Sequence, residues 1–198
     1  MAASETTICN LALGKLGARR IIALDEESVE ARACLLHYAE TRDEVLRHHR
    51  WNFAIRRETL TQLATPPAFD WMFAYELPMD YLRVLQVNRF ERGRRIRAWE
   101  VAGRLLLTND GTAFVRYIAR ITDCNQFDAL FVDALAIKLA SKIARPLTGS
   151  GPLSGEMLTE YEKLTGGRAR RTDAFEESPE RTPAWVNSDL VTSRYGGM

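Results

Sequence analysis

The chain has 198 residues, 46% of them hydrophobic and 27% charged, which allows one domain with a proper core, or one domain with an insertion, and excludes a large multidomain enzyme. Its 27 Lys and Arg residues nearly balance its 26 Asp and Glu residues. No overall field therefore draws the chain to DNA or to anionic lipid, and any nucleic-acid contact must be local.

The first third of the chain carries helical periodicity. We predict a short amphipathic helix with Ser4 or Thr6 as its N-cap and Gly17 as its stop, because apolar residues recur at helical spacing between them: Ile8, Leu11, Ala12 and Leu16. Ser28 is predicted to cap a longer helix that runs to about Arg47. One face of this helix is predicted to be apolar and buried: Ala31, Cys34, Leu35, Tyr38 and Val45.

The period changes to that of a strand at Trp51, since Trp51, Phe53 and Ile55 alternate with other residues. Further strands are predicted over Trp71–Leu77, Tyr81–Val87, Arg95–Glu100, Arg104–Thr108 and Ala113–Ile121. Asn109-Asp110-Gly111 is a hairpin signal, and Glu91 to Arg94 is a weaker one. This region predicts a small antiparallel β domain.

Helical character returns at Asn125, a candidate cap for a helix to Arg145 that is apolar on nearly every side and is therefore predicted to be central and buried. A last helix is predicted from Gly155 to about Leu164, with a possible extension through Arg171. The predicted fold class is α+β: a bundle of about four helices (residues 1–50 and 125–171), an inserted antiparallel β domain (51–124) and an extended C-terminal docking tail (172–198).

The three cysteines, Cys9, Cys34 and Cys124, stand far apart in apolar patterns, so we interpret them as buried thiols in a reducing compartment. The N-terminus lacks a basic start followed by an apolar run, and no window approaches about 18 uninterrupted apolar residues. We therefore expect a soluble intracellular product without a membrane span.

Catalytic signatures are not found in the sequence. It contains no nucleotide-binding glycine motif, no GxSxG and no CxxC. Adjacent His48 and His49 diverge on any regular element and cannot chelate a metal as an i, i+4 pair does. Asp43 and Glu44 resemble a general acid and base, but nearby arginines favour structural pairing, with Arg42, Arg47 and Arg50 as the expected partners. We predict no enzyme activity, no cofactor and no metal site.

Two further regions are candidates for binding a partner. An arginine cluster surrounds the predicted hairpin: Arg92, Arg94, Arg95 and Arg97, with Arg89 beside them. A solvated turn explains it, and so does contact with DNA phosphates or an acidic partner. The polar tail carries a few large apolar anchors, among them Trp185, Leu190 and Tyr195, as do segments that become ordered on a partner.

The stretch from Arg42 to Leu60 carries a helix end directly into Trp51-Asn52-Phe53-Ala54. Together with the N-terminal helix and Leu77-Pro78-Met79-Asp80, it resembles the tail tubular protein A family of tailed bacteriophages, the adaptor or head-to-tail connector proteins beneath the portal. The likeness is good over residues 8–83 and weaker beyond.

The resemblance implies a structural virion protein at the head-to-tail junction, made in the host cytoplasm. It implies a homo-oligomeric ring, expected to be a dodecamer, that binds the portal protein on one side and a tail tube or nozzle protein on the other. Double-stranded DNA would pass through the lumen without sequence-specific binding. Near-neutral charge suits a channel that must not hold DNA tightly.

Two other functions compete with the connector hypothesis. One is a small nucleic-acid-binding module that uses the Arg89 to Arg97 hairpin as a phosphate clamp, against which the neutral overall charge argues. The other is a tail-fibre or cell-wall hydrolase component, which requires a pair of carboxylates in a cleft. The sequence offers no convincing pair.

Overall fold

The computed structural model describes residues 4–88 and 98–169. In these ranges the chain folds into four α-helices and two three-stranded antiparallel sheets, which confirms the predicted α+β class. The helices are α1 (Glu5–Lys15), α2 (Val29–His48), α3 (Ala129–Thr148) and α4 (Gly151–Lys163). The strands are β1 (Ile55–Thr59), β2 (Phe73–Glu76), β3 (Tyr81–Val87), β4 (Trp99–Ala102), β5 (Leu105–Thr108) and β6 (Phe114–Ala119).

Local capping fixes the starts of α1 and α2 as predicted. The Ser4 hydroxyl accepts a hydrogen bond from the Thr7 amide, and the Ser28 hydroxyl accepts one from Ala31, both at 3.1 Å. α1 ends before Gly17, whose φ of +66° is the left-handed conformation that glycine adopts at little cost.

The caps of α3 and α4 differ from the prediction. Asn125 lies in a 3-10 turn over Cys124–Gln126, and Asp128 caps α3 by accepting the Leu130 amide at 2.6 Å. α4 begins four residues before the predicted Gly155, because the Ser150 hydroxyl accepts the Leu153 amide at 3.3 Å. A π-helical turn, Leu164–Ala169, follows α4.

Helix α3 is the centre of the helical part. It packs against α1, α2 and α4, and most of its side chains are buried from Phe131 to Ala144. The apolar residues of the helices and of both sheets form one continuous cluster. The prediction of a central buried helix is confirmed.

The prediction of a strand from Trp51 is wrong. Asn52–Ala54 is a 3-10 turn, in which the Ala54 amide donates to the Trp51 carbonyl at 3.0 Å, and the strand begins only at Ile55. The indole of Trp51 is fixed from the other side, since its Nε1 donates to the Val45 carbonyl at 3.0 Å. A tight turn anchored by a buried ring can therefore show the same alternation of large apolar residues with other residues that a strand shows.

The two sheets have strand orders β1-β6-β3 and β2-β5-β4. Asn109-Asp110-Gly111 is consequently not a hairpin turn, because it joins β5 to β6 in different sheets. Side-chain bonds hold it as a bridge: the Asn109 carboxamide oxygen accepts the Met72 amide, and the Asp110 carbonyl accepts the Tyr75 hydroxyl. The tight hairpin lies instead between β4 and β5, at Gly103 with φ +62°.

Candidate interaction surfaces

The corner between α2 and β1 is built around aromatic rings. The ring centroid of Phe131 on α3 lies 5.3 Å from that of Trp51 and 5.2 Å from that of Phe53, and both pairs pack edge to face. Phe127 completes the cluster at 4.7 Å from Phe131. Edge-to-face aromatic packing of this kind adds to the stabilisation from burial, so the corner fixes how the helices meet the β region.

The two carboxylates beside this corner are paired, as predicted, although with mostly different partners. Asp43 accepts hydrogen bonds from Arg42 at 2.9 and 3.0 Å and from Arg120, just after β6, at 2.6 Å. Glu44 bridges Lys138 at 2.9 Å and Lys142 at 2.6 Å on α3. Arg47, an expected partner, instead donates to the Leu82 carbonyl.

These pairs shape the electrostatics of the corner. Burial of the Glu44 carboxyl acts to raise its pKa, but the hydrogen bonds and charges of Lys142 and Lys138 outweigh it and leave the pKa below its ordinary value. A carboxylate held ionised between two lysines is a structural clamp and a poor proton donor.

The adjacent histidines diverge, as expected from their spacing. His48 lies beside Tyr161 on α4, with ring centroids 5.7 Å apart, whereas His49 lies 4.8 Å from Trp51. Tyr161 is buried and lies 5.0 Å from Lys138 Nζ, and burial is the main cause that raises its pKa.

The cysteines are only partly as predicted. Cys9 and Cys34 are buried free thiols, but Cys124 is half-buried. The pKa of Cys9 is raised, chiefly by a hydrogen bond with Cys34 and then by burial, so Cys9 is a protonated core residue. Leu35, predicted to lie on the buried face of α2, is 60% exposed.

The Leu77-Pro78-Met79-Asp80 segment is a second joint, between the two sheets. Leu77 is buried, and its carbonyl accepts a hydrogen bond from Arg104 Nη2 at 3.1 Å. The Tyr117 hydroxyl lies within hydrogen-bonding distance of two carboxylates, that of Asp80 at 3.1 Å and that of Glu58 at 3.2 Å. Burial first, and then these two carboxylates, raise the pKa of Tyr117.

An arginine-rich surface lies on sheet β1-β6-β3. Arg57 on β1 is directly opposite Arg116 on β6, and Arg83 on β3 is opposite Ile118, two residues further along β6 and so on the same side of the sheet. We call Arg57, Arg83 and Arg116 the arginine face. Two more arginines, Arg47 and Arg50, act electrostatically on Arg83.

The arginine face was missed by the sequence interpretation. Its members are scattered singly along the chain, and only the pairing of β1 with β6 and of β6 with β3 brings them together. A lone arginine at alternate strand positions is a weak signal, because most such positions are simply solvated.

An apolar patch lies on the outer side of α2, along its first eleven residues. Val29, Leu35 and Leu36 are 59%, 60% and 70% exposed, and Ala39 beside them is also exposed. Helical spacing brings these four side chains to one side. We call Val29, Leu35, Leu36 and Ala39 the α2 patch.

The residues predicted to bind partners lie outside the described ranges. They are Arg92, Arg94, Arg95 and Arg97 of the proposed hairpin, and Trp185, Leu190 and Tyr195 of the tail.

No group of three or more His, Cys, Asp or Glu side chains within 4–88 and 98–169 is placed to hold a metal ion. Of the helices in the same part of the chain, none has the length and apolar character needed to cross a membrane.

Comparison with known proteins gives no assignment: no family model matches the chain, and no curated protein matches it.

Proposed function

We propose that this chain is a subunit of the head-to-tail connector of a tailed bacteriophage, assembled as a homo-oligomeric ring, expected to be a dodecamer, between portal and tail. Double-stranded DNA passes through its lumen. The observation that carries the proposal is the resemblance of residues 8–83, centred on Trp51-Asn52-Phe53-Ala54 and Leu77-Pro78-Met79-Asp80, to the tail tubular protein A family.

The positions of these segments in the fold support the proposal. Trp51 and Phe53 pack on α3, while Asp80 contacts Tyr117 on β6. The residues that carry the resemblance are thus those that fix the helices and the sheets relative to one another. A subunit that must keep its shape between two neighbouring rings needs such joints.

The α2 patch supports self-association. Three large apolar side chains, Val29, Leu35 and Leu36, are more than half exposed on one helix side, and exposed apolar surface marks interaction sites when its members lie together. In a ring, the occupant is a second copy of this chain, whose approach removes these side chains from water.

The decisive experiment is a mass measurement of the purified full chain, alone and mixed with the portal protein of the same virus. We expect a ring, either spontaneously or on the portal, that is visible as rotationally symmetric particles by electron microscopy. A chain that stays monomeric with portal present and does not bind it contradicts the proposal.

The tail is tested separately. Removal of the residues after Thr182 deletes Trp185, Leu190 and Tyr195, and should leave the thermal unfolding transition unchanged while weakening assembly. Normal assembly of the truncated chain would remove the docking role from the tail and leave the connector proposal intact.

A further inference from the structure

Sheet β1-β6-β3 carries three arginines on one side, whereas its other side carries Arg56 together with an acidic residue. Arg57, Arg83 and Arg116 share one side through their register. The acidic residue of these strands, Glu58, is opposite Val115 and therefore on the other side, where it contacts the Tyr117 hydroxyl with Asp80. Within the three strands as the structure describes them, no Asp or Glu lies on the arginine face.

Positive charge is concentrated on the arginine face. Arg57 and Arg116 are directly opposite each other on neighbouring strands, a position in which the Cβ atoms of the two side chains lie about 5 Å apart. Desolvation, followed by the charges of Arg47 and Arg50, lowers the pKa of Arg83. Among the described residues, Arg47, Arg50, Arg57 and Arg83 form no ion pair with a carboxylate.

Elsewhere in the molecule, basic side chains beside the core do have acidic partners. Arg42 and Arg120 share Asp43, and Lys138 and Lys142 share Glu44. This fold therefore pairs some of its basic side chains with carboxylates, but within residues 4–88 and 98–169 no carboxylate forms an ion pair with Arg57 or Arg83. A polyanion bound at the arginine face would supply the negative charge that Arg57 and Arg83 do not receive from the described residues.

We propose that the arginine face, together with Arg47 and Arg50, binds the phosphate backbone of duplex nucleic acid without sequence specificity. Guanidinium groups bind phosphate through paired N–H donors. Neighbouring strands lie about 4.8 Å apart, so the arginines of β1 and β3 sit on the order of 10 Å apart, with Arg116 between them. Such a spread favours contact with several phosphates at once.

The aromatic content of this surface favours a duplex over a single strand. In the described strands, Phe114 is the one aromatic residue that the register places on the arginine side, whereas single-strand binders present several rings on which successive bases stack. Contacts to the backbone alone carry no sequence information.

This inference stands independently of the connector proposal, since it depends on the arginines alone. In a connector, the same surface would be a candidate for the side that meets DNA in transit. If ring assembly fails while duplex binding succeeds, the connector proposal is lost and the duplex-binding proposal is kept. If the ring assembles but the chain does not bind duplex DNA, the connector proposal is kept and the duplex-binding proposal is lost.

The test measures binding of the full chain to a short labelled DNA duplex over a series of salt concentrations. The main variant replaces Arg50, Arg57 and Arg83 with Gln. Its matched control replaces Arg19, Arg20 and Arg32 with Gln, an equal change in net charge at exposed positions around the start of α2. Arg32 and Arg47, the arginine of α2 beside the main set, are fifteen residues apart and therefore roughly 22 Å apart along the helix.

We expect duplex affinity to fall as salt rises, with a slope that decreases by about 0.9 for each phosphate that the variant no longer neutralises. The main variant should therefore lower the slope by between about 2 and 3, and the control should leave it nearly unchanged. A third variant, with Arg92, Arg94 and Arg95 replaced by Gln, measures any separate contribution of the arginine cluster identified in the sequence.

Three results would overturn the proposal. These are absence of duplex binding at low salt, equal weakening by the main and control variants, and binding to poly-glutamate as tight as to the duplex at equal charge concentration. The last result would assign the surface to an acidic protein instead. Unchanged thermal unfolding of the variants establishes that weaker binding does not come from unfolding.

Discussion

The two halves of α2 differ in what their outward side chains do. In the C-terminal half, Asp43 pairs with Arg42 and Arg120, and Glu44 pairs with two lysines of α3. In the N-terminal half, Val29, Leu35 and Leu36 face solvent. The residues that looked chemical in the sequence hold the fold together, whereas ordinary aliphatic residues are left exposed. The two carboxylates of α2 that resembled catalytic groups are therefore structural, and the candidate interaction surfaces are formed by other residues.

Trp51 anchors the C-terminal end of α2, and its replacement should have the largest effect on stability. Trp51→Ala removes a buried ring that contacts Phe131 and donates to the Val45 carbonyl, and we expect the free energy of unfolding to fall by about 3–5 kcal/mol. Denaturant unfolding measures the loss. Trp71→Ala is the matched control, because Trp71 is only half-buried. An equal loss in both variants would contradict the anchoring role of the corner.

The second test is Asp43→Asn, which leaves the Arg42 guanidinium with 9% side-chain exposure and without its carboxylate. We expect a loss of about 1–3 kcal/mol, since an almost buried charge loses its partner while Asp43 itself is partly solvated.

A double-mutant cycle with Arg120→Gln isolates the contact between α2 and the end of β6. A coupling energy of zero would show that Asp43 acts only within α2, and that it does not join the helix to the sheet.

Features of this fold that are set by residues close together in sequence could be predicted, whereas features held by residues distant in sequence could not. Ser4, Ser28 and Gly17 act on their own helix ends, so local rules located those ends correctly. Asn109-Asp110-Gly111 has the composition of a hairpin turn, but hydrogen bonds to Met72 and Tyr75, both far away in sequence, hold it as a bridge between sheets. Local composition cannot report such partners.

The candidate surfaces were even less predictable. β1 pairs with β6 and not with the next strand along the chain, so Arg57 and Arg116 meet across 59 positions of sequence. The exposure of Leu35 was missed for a related reason: helical periodicity identifies an apolar side, but it does not reveal whether another element covers it.

Glu44→Gln tests the paired half of α2 through the pH dependence of its stability. The folded-state pKa of Glu44 is depressed, so its stabilisation is present above the unfolded value near 4.5 and is lost as pH falls through the folded pKa. Because the side chain is 44% exposed, solvent screening limits the effect to about 0.5–1 kcal/mol at neutral pH.

The measurement is thermal unfolding of wild type and Glu44→Gln between neutral and acidic pH. The difference between the two proteins should shrink toward the acid end and in high salt. Glu40→Gln, an exposed neighbour on α2, is the control and should show little difference at any pH. A difference that grows as pH falls would contradict the clamp.

The smallest expected effect on stability comes from the opposite half of α2. Leu36→Glu places a charge on a side chain that is already 70% exposed, so the free energy of unfolding should change by no more than about 0.5 kcal/mol. Its effect on assembly should be large, because a ring interface that buries the α2 patch would have to bury an unpaired carboxylate. Leu158→Glu on α4, where the leucine is 38% exposed, is the matched control and should assemble normally. Mass measurement distinguishes the two variants. If Leu36→Glu assembles as completely as wild type, the α2 patch is not where one copy meets the next. If Leu36→Glu alone fails to assemble, the half of α2 without paired charges is the half that makes the ring.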